Sequence, residues 1–127
     1  AAFHLQPDIA IILEGTAAND LGDTPSQFQV CVPGQGVAIS FMDHASIADK
    51  ALFRQLQAVA RAQGIPYQIK RAITGGNDAG SFQLSGKGAR TCVLSVPCRY
   101  IHSGNNVAKL SDIKAQGRLA RAFLNSL

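Results

Sequence analysis

Glu14 is the only glutamate in a 127-residue chain that carries eight acidic residues. It closes the run Ile9-Ala10-Ile11-Ile12-Leu13, whose β-branched residues read as an interior strand buried on both faces. A carboxylate at the carboxyl end of such a strand is costly to bury alone and needs a cation or a set of donors. It reads as a metal ligand, an exposed loop carboxylate or half of a structural ion pair. His102 stands in the stretch Pro97-Cys98-Arg99-Tyr100-Ile101-His102-Ser103-Gly104, after a second apolar strand over residues 91–96. A neutral imidazole there can ligate a divalent metal, donate to a substrate or cap a turn. His4 and His44 lie at a chain start and near a helix start and carry no such context.

The third chemical feature is Gly75-Gly76-Asn77-Asp78-Ala79-Gly80. It looks like the glycine loops that hold phosphates at helix N-termini. However, it lacks the lysine of GxxxxGK[ST] and the spacing of GxGxxG, and Asp78 would repel a phosphate. A tight loop that sends Asp78 toward a cation or ammonium group fits better. No GxSxG elbow and no HExxH helix occur. Cys31, Cys92 and Cys98 form no CxxC pair; their odd, sparse count suits a reducing compartment and small buried hydrophobes. The chain alone offers one carboxylate, one imidazole and one glycine loop, and no complete catalytic set.

The elements that must position these groups alternate between strand and helix. Strands are expected over residues 9–13, 27–32, 37–41, 67–73 and 91–96, the first leaving the sheet at Glu14-Gly15 and the last ended by Pro97. Apolar spacing predicts a helix over residues 47–63, capped by Asp43 or Ser46 and stopped by Gly64 and Pro66. A short helix follows the glycine loop to about Leu84. A final helix starts near Ser111 and turns Ile113, Leu119, Ala120, Phe123 and Leu124 toward the core. This order argues for one α/β domain, a layered sheet covered by helices on both faces, with functional groups beyond the carboxyl ends of its strands.

Composition narrows the function. An apolar share of 46% excludes global disorder, and no apolar run approaches the roughly 18 residues of a membrane span. No leader-like stretch suggests secretion. The net charge is +4, but the basic residues are spread from Lys50 to Arg121 without a dense cluster, and Trp is absent. Neither a membrane nor a nucleic-acid partner is expected on these grounds.

Read in order, Pro7-Asp8-Ile9-Ala10-Ile11-Ile12-Leu13-Glu14-Gly15-Thr16, Ala18-Asn19-Asp20, Ile65-Pro66-Tyr67-Gln68, the Gly75–Gly80 loop and Val96-Pro97-Cys98-Arg99-Tyr100-Ile101-His102-Ser103 resemble the tetrahedral dinuclear metalloaminopeptidases. That family includes glutamyl and deblocking aminopeptidases and members labelled endoglucanases. The resemblance runs nearly end to end. It implies a zinc-exopeptidase-like three-layer sandwich with a mixed, mainly parallel sheet. It also implies cytoplasmic, homo-oligomeric enzymes that remove N-terminal residues from peptides. Two divalent ions, zinc or cobalt, would activate a bridging water. Under the resemblance Glu14 matches the carboxylate ligand of one ion and His102 the imidazole ligand of the other. Gly76, Asp78, Arg99 and Tyr100 match segments on the substrate side.

The family's site also needs an upstream His, a bridging Asp and an adjacent Glu pair that holds the general base, and no residue here matches them. The chain is therefore expected to be the C-terminal part of a catalytic domain, without the upstream half or the inserted oligomerisation domain. No catalytic base is expected within it, and the isolated chain is expected to be inactive and to self-associate through an open strand edge. The alternative is a noncatalytic peptidase-like module that keeps the fold for binding or assembly.

Overall fold

The computed structural model describes residues 1–127. After a short helix, α1 (Ala2–Leu5), come β1 (Ile9–Ala17), a 3-10 turn (Ser26–Phe28), β2 (Val37–Ser40), α2 (Lys50–Ala62) and β3 (Tyr67–Ile69). They are followed by α3 (Asp78–Leu84), β4 (Arg90–Arg99), β5 (Val107–Ala108) and α4 (Leu110–Leu124). The strands form one sheet in the order β1-β4-β2-β3, with β5 paired to the end of β4. The pairs β1/β4 and β2/β3 are parallel, while β2 and β4 run antiparallel and join them. The sheet is thus mixed and mainly parallel, as the alternating strands and helices require.

Both faces are covered. On one, Leu52, Leu56 and Ala60 of α2 and Ala115, Leu119 and Phe123 of α4 pack on Val37, Ile39, Cys92 and Leu94. These residues recur at three- and four-residue steps on the helices and two-residue steps on the strands, which is why each element buries one face. The other face carries α3, and Gln83 Nε2 there donates to Thr91 Oγ1 of β4 at 2.6 Å. A smaller cluster of Ala18, Val30, Cys31 and Ala38 extends this second layer.

Several elements depart from the sequence expectations. β1 does not leave the sheet at Glu14; it stays paired with β4 through Ala17↔Cys98. Nor is it an interior strand, because it lies at the sheet edge with Leu13 51% exposed. Apolar content cannot tell an edge strand from a central one when the covering partner is not another strand of the same sheet. Residues 27–32 do not pair as a strand: Phe28 is exposed, while Val30 and Cys31 are buried in the second cluster. β4 runs through Pro97. On the side away from β1, β2 pairs only as far as Ser95 and β5 begins at Cys98, so Pro97 costs no ladder bond there.

Helix boundaries shift as well. α2 begins at Lys50 with Asp49 as its cap, the carboxylate accepting from Leu52 N at 2.8 Å, and Ile47 lies outside it. α4 begins after Lys109 without a side-chain cap, and Ile113 and Leu124 face solvent rather than core. In the first turn of α4, Asp112 is fully buried and accepts from Gly34 N at 2.6 Å and Gly36 N at 3.0 Å. This carboxylate ties the start of α4 to the turn before β2. Gly36 has φ +91°, and a Cβ there would meet Pro66 O at 2.1 Å, so only glycine fits the turn.

Two stability predictions follow from these contacts. Asp112→Ala strips the buried Gly36 N–H and the part-buried Gly34 N–H of their partner, and denaturant titration should show a loss of about 2–4 kcal/mol. Asp49→Ala removes a helix cap and should cost about 1 kcal/mol at neutral pH. The Arg90 hydrogen bond, then the Leu52 N–H, hold the Asp49 carboxyl below the usual carboxylate range. Its contribution is therefore present above the unfolded-state pKa and vanishes as pH falls through the lower folded value. Wild type and Asp49→Ala should converge in stability under acid; a gap that persists there would contradict the account.

Candidate functional site

Parallel pairing places Glu14 of β1 directly beside Ser95 of β4, on the α3 face of the sheet. Ser95 Oγ donates to Glu14 Oε1 at 3.3 Å. Lys70, just beyond β3 and 8% exposed, reaches the same region and donates through Nζ to Thr74 O at 2.6 Å. His102 sits in the turn after β4 with φ +67°, two residues after Tyr100 at φ +58°. Two left-handed residues in quick succession fold the chain sharply back over the ends of β1 and β4. Glu14, Thr16, Lys70, Gly76, Asn77 and His102 are among the residues lining one cleft of about 270 Å³. Two of the chemical groups singled out in the sequence, remote along the chain, thus share a cavity.

Burial pushes the Glu14 carboxyl above its ordinary range. The Ser95 hydrogen bond and the Lys70 charge oppose that rise, while the Asp43 and Asp78 carboxylates add to it. No cation lies within ion-pair distance of Glu14, since the three ion pairs are Lys87–Asp8, Arg90–Asp49 and Arg99–Asp20. An under-compensated carboxylate that shares a cleft with an exposed imidazole is chemically suited to a divalent cation. The two make an incomplete donor set, because nowhere do three or more His, Cys, Asp or Glu side chains gather closely enough to hold a metal ion.

The glycine loop owes its residues to packing. His44 N donates to Gly75 O at 2.9 Å, and a Cβ on Gly80 would stand 2.7 Å from Ala45 O. Asn77 caps α3, its Oδ1 accepting from Ala79 N at 2.9 Å, and its Nδ2 donates to Asp43 Oδ2 at 2.5 Å. Asp43 also accepts from Ala45 N and Ser46 N, so it closes the turn after β2 instead of capping α2. Of the residues expected on the substrate side, Gly76 lines the cleft. Asp78 is exposed in the first turn of α3, and Tyr100 is 56% exposed. Arg99 forks Asp20, with Nε at 3.0 Å from Oδ1 and one Nη at 2.7 Å from Oδ2, which braces the chain leaving β1.

Sequence reasoning missed Lys70 and the part played by Asp43. The alternation Tyr67-Gln68-Ile69-Lys70 carries a signal, since Ile69 joins the α2/α4 core and Lys70 must then face the other way. Nothing local indicates that Asp43 and Asn77 meet, because they are brought together only by docking the glycine loop on residues 43–46.

The chain is similar to known peptidases over nearly its whole length. It is 38% identical, over 89% of its residues, to an aminopeptidase candidate of Acetivibrio thermocellus, of which it covers 34%. Its fold superposes with a TM-score of 0.95 on an aminopeptidase from the archaeon Desulfurococcus kamchatkensis, at 30% identity, covering 99% of this chain and 36% of that one. It also matches the TET1 peptidase of Pyrococcus horikoshii, which assembles into a tetrahedron or a large octahedral shell. That match has a TM-score of 0.76 and 28% identity, and covers 95% of this chain and 34% of the other. The chain therefore spans about a third of the length of the relatives it matches. The sequence profile of the M42 glutamyl aminopeptidases matches residues 1–119. With the profile, the fold and the motif order in agreement, this chain belongs to the M42 glutamyl aminopeptidase family.

Proposed function

We propose that residues 1–127 form the C-terminal part of the catalytic domain of a metal-dependent aminopeptidase that hydrolyses N-terminal residues from peptides. Glu14 and His102 each give one ligand to a pair of divalent ions, zinc or cobalt. The observation that carries this reading is that both line one cleft, Glu14 from within β1 and His102 from the turn after β4. When bound, the metal ions would supply an activated water as the nucleophile.

The chain's own residues position and polarise. Ser95 orients the Glu14 carboxylate through its hydroxyl. Lys70, held by Thr74 O, favours the ionised form of Glu14 from across the cleft. Gly76 lines the cleft against Ala45, and Asp78 and Tyr100 are exposed, each next in sequence to a residue that lines it. Arg99 acts through Asp20, holding the segment after β1 against the end of β4. No residue here matches the further metal ligands or the general base that the family resemblance implies, so residues 1–127 alone would neither hold both ions tightly nor turn over peptides. The intact protein is a cytoplasmic homo-oligomer in this reading, in keeping with the shells formed by the P. horikoshii relative. A noncatalytic peptidase-like module is the second reading, favoured by the incomplete donor set.

The two are separated by the intact protein. Glu14→Gln and His102→Ala should each lower bound metal, measured by atomic emission after dialysis, and should reduce aminopeptidase turnover by about a hundredfold or more. Ser95→Ala should have a smaller effect of the same sign. Unchanged metal content in both ligand variants would refute the ligand assignment. An intact protein that binds metal but cleaves no peptide would favour the noncatalytic reading.

A further inference from the structure

The solvent faces of α2 and α4 gather Lys50, Arg54, Arg61, Lys114, Arg118 and Arg121, half of the twelve basic residues. The one carboxylate within these helices, Asp112, is buried and committed to Gly34 and Gly36. None of the six takes part in an ion pair. Basic residues scattered along the chain thus become a single cationic layer, on the sheet face opposite the Glu14–His102 cleft.

This layer is not flat. Where α2 ends against α4, a cleft of about 480 Å³ has Arg118 and Arg121 at its lip and Val59, Ala62, Ile65 and Ala122 among its walls. No carboxylate lines it. Arg118 makes only a long contact, 3.5 Å, to Gln63 O, which leaves most of its donors open. A second hollow of about 450 Å³, lined by Lys114, Gly117, Arg118 and Arg121, shares both arginines with the first. Gly117 has nothing within 4 Å of where a Cβ would stand, so the backbone between Lys114 and Arg118 is bare. The two hollows make one groove along α4, longer than a small anion needs.

We propose that this groove binds an acidic polypeptide segment in extended form, its carboxylates forked by Arg118 and Arg121 and its aliphatic side chains set against Val59, Ala62, Ile65 and Ala122. Arginine suits this role because its planar donors meet a carboxylate in pairs. An aliphatic floor beside cations matches a chain that alternates acidic and aliphatic residues. A nucleic acid would share the charge, but no aromatic side chain lines the groove to stack its bases. The site is independent of the metal-ligand reading, since neither groove residue nor ligand touches the other cleft.

The test uses the intact protein and a fluorescent peptide of alternating Glu and Leu, blocked at both ends so that no aminopeptidase can consume it. Anisotropy titration should give saturable binding that weakens about tenfold or more in Arg118→Gln/Arg121→Gln. The control Lys87→Gln/Arg90→Gln removes the same formal charge far from the groove and should bind as wild type does. Arg118→Lys/Arg121→Lys keeps the charge and loses the fork, and should fall between the two. Equal weakening in the control would reduce the effect to net charge and overturn the proposal. So would tighter binding of a single-stranded oligonucleotide of equal charge, or no saturable peptide binding by wild type.

Discussion

The nine-residue parallel ladder between β1 and β4 is the constraint on which the rest of the chain depends. Its register, from Ile9↔Arg90 to Ala17↔Cys98, sets Glu14 against Ser95 and puts the start of the His102 turn beside the end of β1. A slip of one residue would move Glu14 to the α2/α4 face and leave the cleft without its carboxylate. Gly15 protects that register by allowing close approach, since a Cβ there would stand 3.1 Å from Cys98 Sγ. Gln116 of α4 reinforces it from the other side, donating to both Glu14 O and Leu94 O across the two strands.

Around this ladder the polar residues divide their labour clearly. Asp112, Asp43 and Asn77 are spent on backbone N–H groups and on each other, which fixes turns that carry little regular hydrogen bonding of their own. Glu14 is the exception among the partly buried carboxylates. It receives one hydroxyl and no ion pair, and burial shifts it toward the neutral form. A protein that leaves one carboxylate under-compensated while satisfying its neighbours concentrates electrostatic stress at one place, and such places are where function is commonly found. The two layers also separate chemically, with the cleft on the α3 face and the cationic groove on the helix-paired face.

The exposed edge of β1 gives the fold an open side. Ile9, Ile11 and Leu13 line an apolar hollow with Ala120, Phe123, Leu124 and Leu127. An unpaired strand edge bordered by apolar side chains is a surface that other polypeptide readily covers. The relatives are about three times as long as this chain, so their folds have ample material for such a covering.

Much of this was legible in the primary structure. The alternation of apolar strands with a periodic helix led directly to an α/β sheet, and spacing alone placed Leu119 and Phe123 in the core, although it placed the exposed Ile113 and Leu124 there too. Glu14 and His102 stood out because a charged or titratable group follows an apolar strand in each case. The fold inferences succeed because periodicity is a local property of the chain. The edge position of β1, the failure of residues 27–32 to pair, the meeting of Asp43 with Asn77 and the gathering of six cations on two helices were decided only by tertiary packing. Each depends on which surface lies opposite which, and no local pattern of residues encodes the identity of a distant neighbour.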